Sequence, residues 1–113
     1  MAAYSELFLE QYADFSTYIN VDDLQGDAIN LTGYLASSQM RKSYYSSTAY
    51  DFVVEISDAV RGEITLSMDA ANTANMSPGR YVYDLNITDT DSVVTRVVEG
   101  IVVVSPGATR NGG

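Results

Sequence analysis

The sequence predicts an all-β fold: an immunoglobulin-like, two-sheet Greek-key sandwich of about seven to eight strands, with one short helical turn before the strand that carries Tyr81. Three observations predict it. Apolar and polar residues alternate along most of the 113 residues, the pattern of strands with one buried face. Turn signals recur about every ten residues, as sandwiches require. Finally, Pro78-Gly79 ends a helix-forming run, and Tyr81 heads the alternating stretch that follows. That is the place of a tyrosine corner, whose phenol hydroxyl bonds backbone a few residues upstream and pins the crossover between sheets. Pro78, Gly79 and Tyr81 are thus the expected structural corner. Tyr83 stands two residues on, where antibody domains place a disulfide cysteine, and this chain has no Cys. A closed barrel of the OB type is the competing architecture, because patterning alone does not decide closure.

The elements follow in order. Ser5, Leu7 and Leu9 form one face of a first strand, with Tyr4, Glu6, Phe8 and Glu10 on the other. Phe15, Thr17, Ile19 and Val21 make a second inward row, while Asp14, Ser16, Tyr18 and Asn20 face out. Asp22 to Asp27 is a turn in which Gly26 supplies positive φ and the carboxylates bond local amides. Ile29 to Gly33 is a connector with two apolar anchors. Tyr34, Ala36, Ser38 and Met40 then alternate with Leu35, Ser37, Gln39 and Arg41. Arg41 to Tyr50, rich in Ser and Tyr, reads as a long loop. Phe52, Val54 and Ile56 resume the alternation, Asp58 to Gly62 turns, and Ile64, Leu66 and Met68 form the next strand. Asp69 is the expected N-cap of a helical turn over Ala70 to Met76. Tyr81 to Ile87 and Val93 to Val104 are two long strands joined by the hairpin loop Thr88 to Ser92. One domain spans residues 1–105, and 106–113, with Pro106, Gly107 and Asn111-Gly112-Gly113, form a flexible C-terminal tail. No repeat of about 20 to 50 residues recurs, which excludes a solenoid or propeller.

Composition narrows the function. At 46% apolar and 11% aromatic residues, nine of them Tyr, the chain is a packed domain rather than a disordered one. Its net charge of −9, with six basic residues, repels phosphate backbones and anionic lipid, so neither nucleic acid nor membrane is an expected partner. The apolar run Ile101 to Val104 is too short to cross a bilayer, and no signal peptide is expected at the N-terminus. The absence of Cys removes disulfides and thiolate metal sites and says nothing about compartment.

With no His and no Cys, the usual general bases and nucleophile partners are missing. A Ser–Lys dyad from Lys42 with Ser43 or Ser46 has the bland alternative of a basic residue solvating a loop. Scattered acids could supply a glycosidase pair, but a sandwich of this size offers little room for a deep cleft. The expectation is no enzyme, no catalytic residue and no cofactor. Asp22, Asp23 and Asp27 crowd one turn, and Asp89 and Asp91 another. Neither matches a spaced calcium loop, so turn chemistry is expected before a metal. Asn30-Leu31-Thr32 and Asn86-Ile87-Thr88 match the glycosylation sequon and are read as chance. Tyr44, Tyr45 and Tyr50, flanked by Arg41 and Lys42, form the candidate interface. Tyrosines there suit a protein contact or sugar stacking, or else fold back over the sandwich edge. The last strand is apolar on both faces between Ile101 and Val104, so one face is expected on the core and the other on a partner.

Several segments together resemble small immunoglobulin-like virion structural proteins of tailed bacteriophages, and the N-terminal domain of phage baseplate upper proteins. They are Asp14-Phe15-Ser16-Thr17, Leu31-Thr32-Gly33-Tyr34, Gln39-Met40-Arg41-Lys42 and Gly62-Glu63-Ile64-Thr65-Leu66-Ser67. The corner Pro78-Gly79-Arg80-Tyr81-Val82-Tyr83-Asp84 and the strand Val97-Val98-Glu99-Gly100-Ile101-Val102-Val103 complete the set. The resemblance runs from about Tyr12 to Pro106. It implies a non-enzymatic structural or assembly module of a virion, in the tail, baseplate or neck, assembled in the host cytoplasm. Its partners would be other virion proteins, in a homo-oligomer or a hetero-assembly. The chain differs from baseplate upper proteins in having no long C-terminal extension for trimerisation, so an accessory, neck or decoration role is expected equally. The alternative reading is a carbohydrate-binding or host-attachment sandwich that takes a surface glycan on the Tyr44–Tyr50 loop.

Overall fold

Strong strand alternation sorts into two sheets in the computed structural model, which describes residues 3–23 and 25–108. Residues 109–113 of the expected tail, the first two positions of the domain and Leu24 of the first turn lie outside the described residues. The elements are β1 (Ala3–Tyr4), β2 (Leu7–Glu10), β3 (Phe15–Asn20), β4 (Leu35–Arg41), β5 (Tyr50–Asp51), β6 (Val53–Asp58), β7 (Glu63–Met68), α1 (Ala70–Thr73), β8 (Gly79–Thr88) and β9 (Val94–Ser105).

The larger sheet runs β1-β9-β8-β4-β5, with β2 also on β9, and the smaller runs β3-β7-β6. The segments β3→β4 and β7→β8 therefore cross between sheets, the signature of a Greek key. This is an immunoglobulin-like sandwich; the two sheets stay separate and no barrel closes. β1 and β2 pair parallel with β9, whereas β8 pairs antiparallel with both β4 and β9.

The core lies between the sheets and is built by alternation. Ile64, Leu66 and Met68 of β7 face Tyr81, Tyr83, Leu85 and Ile87 of β8, and all are buried. On β9 the inward row is Val98, Val102 and Val104. A bulge between Leu85 and Asn86 leaves Val97 unmatched, since Leu85 pairs with Val98 and Asn86 with Arg96. The bulge separates the exposed start of β9, Val94 to Arg96, from its buried second half.

Among the described residues nine strands form where seven or eight are expected, for two reasons. The first strand breaks at Ser5-Glu6 into β1 and β2. The expected loop Arg41–Tyr50 is shorter at both ends, because Arg41 closes β4 and Tyr50-Asp51 return to pair with Met40 and Gln39. Phe52 then buries its ring against Phe15 and Tyr83, with centroids 6.0 and 6.2 Å away, and leads the chain into the second sheet. So short a strand carries no period of its own, which is why composition reads it as loop.

The helical turn is also shorter than its sequence. Asp69 caps it, accepting from the Asn72 amide at 3.0 Å, but α1 stops at Thr73. Met76 is sunk into the core at 1% exposure, so the chain must turn inward before a second helical turn forms. The buried Thr73 hydroxyl donates to Ala13 O at 2.9 Å, and the Ala70 amide donates to Asp14 Oδ1 at 2.8 Å. These two bonds tie the crossover to the start of β3. Pro106 and Gly107, the start of the expected tail, pack back on the end of β2, where the Gly107 amide donates to Gln11 Oε1 at 3.3 Å.

Candidate functional site

Two places gather the residues singled out from sequence. The first is the corner at the head of β8. Gly79 sits at φ +139°, a conformation that L side chains rarely adopt, and a Cβ there would come within 2.7 Å of Lys42 Nζ. The Tyr81 hydroxyl donates to the Ser77 carbonyl at 2.7 Å, bridging the Pro-Gly turn. Tyr50 stands edge-on to the Tyr81 ring, 6.1 Å between centroids and 84° between planes. Lys42 places its ammonium 4.7 Å from the centroid of the same ring, a cation–π contact. Burial, with the Tyr50 phenol beside it, pushes the Tyr81 phenol above its ordinary value.

The five candidate interface residues are therefore divided. Tyr50 and Lys42 are gathered onto Tyr81, while Tyr44 and Tyr45 remain on the surface, at 54% and 98% exposure. Arg41 is turned along its own loop, donating to Ser46 O at 2.6 Å and to Gln39 Oε1 at 3.2 Å. The three tyrosines do not form one platform. Ser43 and Ser46 hydrogen-bond each other at 3.4 Å, and the Lys42 ammonium is spent on the ring.

The second place is the outward face of the larger sheet. Strand register sets Phe8 beside Val103 and Val103 beside Arg80. Two residues along, Ile101 stands beside Val82, and Val82 beside Arg41. Phe8 is 64% exposed and Tyr4, on the same face, 62%. Val82, Ile101 and Val103 on the same face are half-buried. Tyr44 borders a shallow depression with Arg41, Val82, Asp84 and Arg96, in which Arg96 pairs with Asp84 at 3.4 Å. Desolvation and the adjacent Glu6 carboxylate push the Tyr4 phenol up, while Arg80 pulls it down. The result is an outward apolar strip with tyrosine and arginine at its rim.

Phe8, Tyr4 and Val82 were not singled out from sequence. The signal was present in part, since the first strand is large and apolar on its outer face as well as its inner one. What was missing is the parallel pairing of β2 with β9, which sets Phe8 against the outward row of Ile101 and Val103.

The acidic turns are occupied by backbone. Asp23 Oδ1 accepts the amides of Gln25 and Asp27 at 2.9 and 3.0 Å, and Asp89 Oδ1 accepts those of Asp91 and Val93, both at 2.9 Å. Among the described residues no group of His, Cys, Asp or Glu is placed to hold a metal ion, and no helix is long and apolar enough to cross a membrane.

No protein-family model matches the chain, and no curated protein matches its sequence. Among solved structures, the filamin domain of Lin-41 is similar at 16% identity, over 88% of this chain and 84% of that one, with a TM-score of 0.49. CopC from Methylosinus trichosporium OB3b is similar at 15% identity, over 91% and 88% of the two chains, with a TM-score of 0.48. An internalin-like protein of Listeria monocytogenes is similar at 11% identity over 94% of this chain and 28% of its own length, with a TM-score of 0.43. These are distant similarities between β-sandwich domains.

Proposed function

We propose that this chain is a non-enzymatic assembly module of a tailed-phage virion, a tail, baseplate or neck component that acts through protein contacts. The observation that carries the contact reading is the outward strip of the larger sheet, where Phe8 and Tyr4 stand exposed on the same face as Val82, Ile101 and Val103. Exposed apolar strips of this kind mark docking surfaces, and tyrosine and arginine at the rim are the residues that dominate interface energies. The virion setting is supported by the ordered set of segments from Asp14 to Val103 that resembles phage structural proteins. A glycan platform at Tyr44, Tyr45 and Tyr50 gains no support, because Tyr50 is packed on Tyr81.

The test is incorporation. In an assembly reaction with the neighbouring tail and neck gene products, the chain enters particles, as read by mass spectrometry of purified virions. Phe8→Glu places a charge on the strip while the inward face of β2 is untouched. This variant stays folded and fails to enter. A chain absent from particles, or a Phe8→Glu variant incorporated as well as wild type, overturns the proposal.

A further inference from the structure

The four edges of the two sheets are guarded unequally. β5 is two residues long. β1 and β2 are interrupted, and Glu6 and Glu10 lie along them. β6 has a bulge between Ile56 and Asp58 and carries Glu55 and Asp58. Short length, charge and bulges are the devices by which edges avoid pairing with other chains. β3 has none of them. Its six residues, Phe15-Ser16-Thr17-Tyr18-Ile19-Asn20, pair with β7 in unbroken register and contain no charge, Pro or Gly.

We propose that two copies of this chain pair edge to edge through β3, antiparallel about a two-fold axis, so that their three-stranded sheets become one six-stranded sheet. The residue pattern is self-complementary. With Thr17 on the axis, Phe15 meets the partner's Ile19 and Thr17 meets the partner's Thr17. Phe15 and Ile19 are half-buried and lean on the core, so pairing continues the apolar row of one core into the next. On the other face Ser16 meets the partner's Tyr18, which is 68% exposed, and Asp14 meets the partner's Asn20. No carboxylate opposes a carboxylate in the paired stretch. Two copies each at −9 repel one another over most of their surface, and this uncharged strip is where they can approach. Seven residues of each copy, 14–20, pair in this register and bury less than a standard interface, so the dimer is weak and concentration-dependent.

Sedimentation equilibrium of the full chain from about 1 µM to about 1 mM reads the association. The wild type dimerises, more tightly in about 0.5 M salt than in about 0.05 M, because the opposing force is screened. Ser16→Lys with Tyr18→Lys lowers the net repulsion between copies yet sets like charges across the axis, and weakens the dimer about tenfold. Ser16→Lys with Tyr18→Glu sets opposite charges across the same positions and returns the constant to within about threefold of wild type. Both pairs of substitutions lie on the solvent face, and an unchanged melting temperature confirms folding. A chain monomeric at every concentration overturns the proposal, as does a dimer on which the two double variants act alike. So does a dimer that Phe8→Glu dissolves and β3 does not; that last result would leave the sheet-face reading standing.

Discussion

The Tyr83 hydroxyl donates a 2.8 Å hydrogen bond to the Ser5 carbonyl, 78 residues away in sequence and on the far side of β9. Tyr83 is paired directly with Gly100, and a Cβ at Gly100 would lie 1.9 Å from Ser5 O. Gly100 thus opens the space into which the Ser5 carbonyl turns, at the break between β1 and β2, and Tyr83 satisfies it there. Tyr83 stands in the position of the sandwich disulfide and ties β8 to the N-terminal strand instead.

Tyr83→Phe is expected to leave the Ser5 carbonyl without its partner in a half-buried site and to cost about 1–3 kcal/mol. Gly100→Ala forces β1–β2 away from β9 and is expected to cost at least as much as a typical overpacking change, about 1–3 kcal/mol. Urea unfolding measures both. Hydrogen exchange of the Leu7 to Glu10 amides should rise in each variant before that of β7.

Tyr81→Phe removes a similar bond with a smaller effect, about 1 kcal/mol or less. Ser77 is exposed, so water replaces the lost hydroxyl at its carbonyl. The expected order of destabilisation is Tyr83→Phe above Tyr81→Phe, and the reverse order in matched denaturation curves would contradict this account.

Alkaline pH should unfold the protein through these two phenols. Burial raises both above the ordinary value of 10.0. A raised phenol holds its proton in the folded state, so its contribution is intact below pH 10 and is lost as pH climbs through the folded value. Melting temperature is expected to fall above about pH 10, with Tyr83→Phe flattening the fall. Absorbance titration of the phenolates against the melt checks the coincidence.

Asp89→Ala removes the acceptor of two backbone amides in the β8–β9 hairpin loop and should cost about 1 kcal/mol. The loss should be the same with millimolar calcium and with chelator, because the carboxylate serves the turn. A melting temperature that rises with calcium in wild type and not in Asp89→Ala would overturn this.

Much of the site was legible at the level of single strands. Alternation made Ile64, Leu66 and Met68 one strand and Tyr81 to Ile87 another, and the apolar residues at alternate positions of both, Tyr81, Tyr83, Leu85 and Ile87 among them, are buried. The Pro-Gly turn, the Asp69 cap and the Tyr81 head of strand were also readable, because each depends on chemistry within a few residues. The outward strip of the larger sheet was legible only by halves: the apolar row of Ile101 and Val103 was visible, and its continuation through Phe8 was not.

The sequence by itself determined which residues face inward, where the chain turns, and that the fold is all-β, because pleat and turn conformation are local properties of the backbone. Only the tertiary structure decided which strands are neighbours. It laid β1 and β2 parallel on β9, drew Tyr50 back onto Tyr81, sent Phe52 across the core and left β3 as an edge. Those choices rest on contacts between residues far apart in the chain, where burial of rings and pairing of backbone must outweigh the entropy of closing long loops. No periodicity within one segment records that balance, so the surface from which a partner would be bound exists only once the strands are placed side by side.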